Sequence, residues 1–248
     1  SQPGGGGTTE CQFRTAHDVK LWPIEIVSAE YFTHASNLPF GSKPAWKRFG
    51  GGVRISLKAA AGLDFSKIGL DDMQFHCAGS DEVAYRLHEL VCGNTLGIFV
   101  MTGKGHGARH QTLEADAIKP VGFDEDQALL PVTLRGFEGY RLVQEYFAFP
   151  QRFLFFDVCG IGDAMRQFGG QEVELVILFS RGDAQLMQSV DAASLALNCV
   201  PAVNLFEHRC DRIHVTQEKP DFHVVPDRTR PMDFEIYGIK AVTGYGVG

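Results

Sequence analysis

The densest candidate for phosphate or metal chemistry in this sequence is the loop Gly103-Lys104-Gly105-His106-Gly107. A phosphate-binding loop needs four residues between its glycines, then Lys and Ser or Thr opening a helix, so that backbone amides and the helix dipole meet the phosphates. Here Lys104 is followed by Gly105 and no helical pattern ensues, so a turn between strands is expected. His106, His110 and Glu114 stand four apart. That spacing gathers metal ligands only on a helix, which Gly105 and Gly107 oppose. His208, Cys210 and His214 form a second loose group. Strand alternation alone would not turn all three to one side.

Nucleophiles fare no better. Gly79-Ser80-Asp81 reads as a helix cap rather than an activated serine, and no GxSxG elbow is present. His76 and Cys77 are adjacent, which on a strand sends them to opposite faces and prevents a thiolate–imidazolium pair. The run Asp124-Glu125-Asp126 sits among loop signals. A glycosidase-type carboxylate pair remains open in any β-rich fold, but nothing selects one. The residues therefore specify no catalytic set, no metal site and no cofactor site.

Composition narrows the class. The 30 acidic and 23 basic residues leave a formal charge of −7, which disfavours nucleic acid as a partner. Lys43, Trp46, Lys47, Arg48 and Arg54 make one modest basic patch, read as a solvated loop with Trp46 packed inward. The cysteines at 11, 77, 92, 159, 199 and 210 contain no CxxC pair, and most lie in apolar runs. Buried free thiols in a reducing cytosol are expected. No stretch approaches the ~18–20 apolar residues that cross a bilayer, so direct membrane insertion is not expected.

The elements that must position these residues are mostly strands, as 28 glycines and 19 phenylalanines suggest. Strands are expected at 11–15, 19–26, 54–60, 73–77 and 96–101. Ser80 caps a helix over 80–93, with Asp81 and Glu82 favouring its dipole. A second helix is expected at 138–148, stopped by Pro150. Strands at 153–158 and 173–179, helices at 184–190 and 191–197 (capped by Asp191), and strands at 203–206, 213–217, 222–225 and 234–239 complete the chain. The expected fold is α+β and strand-dominated, with a flexible tail at 1–10 and two β-rich lobes, 11–135 and 136–248, each carrying one or two short helices. Strand, strand, helix, strand recurs over 54–101 and 153–206. A tandem duplication would produce that order, and so could chance.

Three stretches carry a resemblance: GFEGYRLVQEYFAFPQRFLFFDV (136–158), LNCVPAVNLFE (197–207) and VVPDRTRPMDFEIYGI (224–239). Together with CQFRTAHDVKLWPIEI (11–26), they closely resemble the TssF family, also called ImpG or VasA, of the bacterial type VI secretion baseplate. Members of that family are longer than this chain, and the glycine-rich start and end suggest a fragment. The resemblance implies a structural wedge protein, akin to those of contractile phage tails, on which the sheath assembles. It implies as partners TssG, TssK, TssE and a second TssF copy, and a place in the cytoplasm against the inner-membrane complex. It brings no catalytic residues.

Within these motifs Tyr146, Phe147, Phe149 and Pro150 are expected to form a packing hub where a helix ends and a strand begins. Asn198, Pro201 and Asn204 are expected to serve structure, the asparagines satisfying backbone groups at a strand crossing. The alternatives weighed are a hydrolase whose carboxylates converge only in the fold, and a carbohydrate-binding module using Trp22 or Trp46.

Overall fold

The structure is a computed structural model that describes residues 11–34, 38–39, 44–102, 109–131, 137–216 and 218–246. In chain order the described strands begin with β1 (Arg14–Thr15), β2 (Ile24–Phe32), β3 (Gly51–Ala59), β4 (Met73–Cys77), β5 (Thr95–Thr102) and β6 (Arg109–Glu114). They continue with β7 (Ile118–Val121), β8 (Phe155–Val158), β9 (Glu172–Phe179), β10 (Leu195–Ala196) and β11 (Ala202–Val203). The helices are α1 (Asp81–Asn94), α2 (Glu138–Ala148) and α3 (Gly162–Phe168). The fold is therefore strand-dominated α+β.

The chain separates into one unit of Ala16–Pro201 and another made of residues 1–15 with 202–248. The expected boundary near residue 135 is corrected by strand pairing. In the larger unit a five-stranded antiparallel sheet runs in the order β2-β3-β9-β5-β6. Its central strand, β9, comes from the far side of that boundary, so the two halves cannot be separate lobes. A second antiparallel sheet, β10-β4-β8-β7, mixes the halves in the same way. The described helices all belong to the larger unit, rather than being shared between lobes.

Alternation explains β3. Val53, Ile55, Leu57 and Ala59 are buried while Arg54, Ser56 and Lys58 look the other way, and Arg54 meets Glu174 of β9 at 3.7 Å. β5 and β9 are apolar without alternation because both faces are covered. Ile98, Val100, Leu175 and Ile177 join the main core with β4, β8, α1 and α3. Phe99, Met101, Val176 and Leu178 pack on the opposite side against Trp46. Each fully buried Leu, Ile or Phe contributes about 1.5–3 kcal/mol. Trp46 sits edge-on to Phe99 with ring centroids 4.9 Å apart.

α1 begins where its cap predicts, with Ser80 Oγ accepting from the Val83 amide. Its Ala84, Leu87, Leu90 and Val91 form the buried stripe. The helices expected at 184–197 are instead short 3-10 turns, Ala184–Gln188 and Ala192–Ser194. Asp191 does cap the second, in a reciprocal box with Ser194.

The proposed duplication is not reproduced. β3, β4 and β5 fall in the five-, four- and five-stranded sheets, whereas β8, β9 and β11 fall in the four-, five- and two-stranded ones. Two copies of one unit would keep the same assignment.

In the smaller unit β1 pairs with β11. The strands expected over 213–239 are irregular chain among the described residues. Side-chain bonds organise it in place of a ladder. Asp211 accepts from the Arg228 amide at 2.8 Å, Asp227 forms an Asx turn with Thr229, and His208 stacks on Phe234 with centroids 5.1 Å apart.

Candidate functional site

The EYFAFP corner is built inside out relative to expectation. α2 carries only one basic residue, Arg141, and places Tyr140, Val143 and Phe147 on one side at i, i+3 and i+7. The opposite side centres on Glu145. Phe147 is 81% exposed and Tyr146 and Phe149 are exposed as well, while Glu145 is 1% and Arg152 0% exposed. The residues expected to form a packing hub thus lie on the surface, and the hub itself is ionic. Pro150 ends the helix as expected. The Phe149 amide closes the last turn on the Glu145 carbonyl at 2.8 Å, and Pro150 opens a 3-10 turn to Phe153.

The ionic hub joins four segments. The Arg152 guanidinium donates to Glu145 Oε2 and, at 2.7 Å, to the Gly122 carbonyl. It also donates to the Gln127 carbonyl. Glu145 Oε1 accepts from the Leu129 amide at 3.0 Å, the Leu130 amide at 3.4 Å and Arg141 Nη1 at 3.4 Å. Arg141 continues to the Phe123 carbonyl. Burial depresses the Arg152 guanidinium below its ordinary value, and the Glu145 charge opposes that. Gly122 is required here: its φ is +108°, and a Cβ would stand 3.1 Å from the Arg152 carbonyl oxygen.

Aromatic rings extend from this hub to the surface. Phe153 lies under the Arg152 guanidinium at 4.6 Å. It is flanked by Phe123 at 5.2 Å and Tyr146 at 6.2 Å. Tyr146 meets Phe147 edge-on at 5.6 Å, and Phe137 meets Tyr140 at 5.7 Å.

The second motif is a clamp. Asn198 takes a left-handed φ of 57°. Its Oδ1 accepts from the Trp22 amide at 2.8 Å, and its Nδ2 donates to the Trp22 carbonyl at 3.0 Å. The side chain thus replaces a strand partner for Trp22. Pro201 is buried, its carbonyl accepting from the Ala16 amide at 2.9 Å. Asn204 is exposed and belongs to the other unit.

The candidate chemical groups are not brought together. Residues 103–108, with Lys104 and His106, lie outside the described residues, as does Lys43. His110 and Glu114 sit on β6, roughly 13 Å apart along a strand, and His110 stands edge-on to Phe99. His208 is occupied by Phe234. His76 lies against Phe155 at 4.3 Å, while the Cys77 thiol is pushed far up by burial, opposite to activation. Asp124, Glu125 and Asp126 are exposed at the start of a turn. Among the described residues no three His, Cys, Asp or Glu side chains form a metal-holding group.

Sequence reasoning missed Glu145 and Arg152. A Glu and an Arg seven apart across a helix-stopping proline were the only signal available, and that pattern is common on solvated surfaces.

A family model described as "Type VI secretion system, TssF" matches residues 1–248. The chain belongs to the TssF family. It is 42% identical over 247 residues to the type VI secretion system component TssF1 of Pseudomonas aeruginosa, covering 100% of this chain and 40% of that relative. It also resembles a chain of the type VI secretion TssK-TssF-TssG baseplate subcomplex solved by cryo-electron microscopy. The TM-score is 0.74 at 24% identity, over 99% of this chain and 44% of that one. At that identity the likeness speaks for the fold. The chain spans less than half the length of TssF1 and of the matched chain of the subcomplex.

Proposed function

We propose that this chain is a structural part of a type VI secretion baseplate, acting by protein–protein contact and not as an enzyme. The observation that carries the reading is the TssF-family match along the whole chain, supported by a fold shared with a chain of the TssK-TssF-TssG subcomplex. Its partners in this reading are TssG, TssK, TssE and a second copy of the same protein. The assembly stands in the cytoplasm against the inner-membrane complex. That placement agrees with the described residues, where no helix is long and apolar enough to cross a membrane.

The geometry fits a scaffold. Its most buried polar groups, Glu145 and Arg152, bond to each other and to neighbouring backbone, which fixes the shape of this corner. The test is co-expression of the full-length protein with TssG and TssK of the same organism. A stable complex with either supports the reading; a folded protein that binds neither overturns it.

A further inference from the structure

We propose that the outer face of α2, formed by Tyr140, Val143 and Phe147 and continued by Phe137, Tyr146 and Phe123, docks another baseplate subunit. That subunit presents an apolar stripe bordered by Lys and Arg. The inference rests on the baseplate reading and assigns it a surface.

Three observations carry it. First, the face is aromatic and open: Phe137 is 74%, Tyr140 71% and Phe147 81% exposed. Rigid aromatic side chains with few rotors lose little entropy on binding and dominate interface energetics.

Second, the face is held firmly from behind. Glu145 and Arg152 tie α2 to the 122–130 segment and to the turn before β8, so the aromatic side chains stand on a preorganised mount. Ordinary surface helices hold on by an apolar stripe turned inward. Here the apolar stripe is turned outward and a buried charge cluster does the holding.

Third, the border is acidic. Phe123 is followed by exposed Asp124, Glu125 and Asp126. Arg141, the one basic residue of α2, is spent on Glu145. This charge pattern chooses among occupants. A second copy docking by the same face would set acid against acid, and an anionic lipid surface would be repelled. A basic-bordered stripe on a different subunit is complementary.

The test uses the full-length protein co-expressed singly with TssG and with TssK of its own secretion system. Phe147→Asp should lower binding to one of them at least tenfold, with circular dichroism and Tm unchanged. Leu21→Ser, at another exposed apolar position, should leave binding intact. Asp124→Lys should weaken the same complex, and raised salt should weaken the wild-type complex more than the Asp124→Lys one. Should Phe147→Asp lose its native spectrum, Tyr140→Ser reads the same surface. Wild-type binding that both aromatic variants retain overturns the docking surface and leaves the baseplate reading standing. Wild-type binding to neither subunit overturns both. A change confined to self-association, read by light scattering, assigns the face to a second copy and overturns the proposal.

Discussion

Arg152 and Glu145, seven residues apart and on either side of Pro150, share one buried ion pair that fastens α2 to the rest of its unit. Removing one partner leaves the other charge buried and without its counter-charge. Arg152→Leu should therefore destabilise the unit by about 3–5 kcal/mol, read by urea denaturation. Because most of that loss is the stranded carboxylate, Glu145→Leu/Arg152→Leu should recover part of it. A double variant no more stable than the single would refute this account.

The Asn198 clamp on Trp22 makes two hydrogen bonds, each with a net worth of about 0.5–1.5 kcal/mol. Asn198→Ala should thus cost roughly 1–3 kcal/mol, plus strain from its positive φ. Asn198→Gly keeps the backbone geometry and should lose only the bonds. Equal stability of the two variants would show that the φ of 57° carries no strain.

Three histidines predict the response to acid. Burial lowers His17, His76 and His88 from the ordinary 6.5. Well above pH 6.5 they are neutral whether folded or unfolded. As pH falls through 6.5 the unfolded chain takes up protons that the folded chain refuses, so stability falls until the lowered folded values are reached. Asp157, raised mainly by burial, works in the opposite sense at lower pH, since its folded form binds the proton more readily. Tm should decline from pH 7 to about 5, and His88→Gln should flatten part of that decline. An unchanged slope would remove His88 from the explanation.

Thiol reactivity should follow burial. Cys92, next to His88 Nε2 at 3.4 Å, is pushed up to about 12 by burial, and Cys77 is higher still. Cys11 is exposed. Pulse alkylation followed by mass spectrometry should label Cys11 first, with Cys77 and Cys92 labelled only on unfolding. Native labelling of Cys92 at the rate of Cys11 would contradict the buried assignment.

What the sequence made legible was what local chemistry decides. Ser80 and the Leu87–Leu90–Val91 stripe specify α1, and Pro150 specifies the end of α2. The apolar run of β9 announces a strand covered on both faces. β6 (RHQTLE) and β7 (IKPV) escaped because edge strands carry polar side chains and even a proline. α3 escaped because GDAMRQF is barely two turns and starts with glycine. The apolar alternation near 222–225 and 234–239 suggested strands, yet no described neighbour pairs with it. At the EYFAFP corner the aromatic side chains were expected to point inward, whereas Tyr146, Phe147 and Phe149 are exposed. Tyr146 and Phe147 look like core residues by type, and only the tertiary partners of Glu145 and Arg152 reveal which side of α2 turns inward.

The place of β9 between β3 and β5 sets an order of events during synthesis. Both flanking strands leave the ribosome long before residues 172–179 do, and until then each exposes an unpaired ladder of amides and carbonyls. A nascent chain halted before β9 is a template open at two edges, vulnerable to pairing with other chains. Completion of the central strand closes both edges in a single step, so the moment of greatest hazard for this protein falls in translation rather than after it.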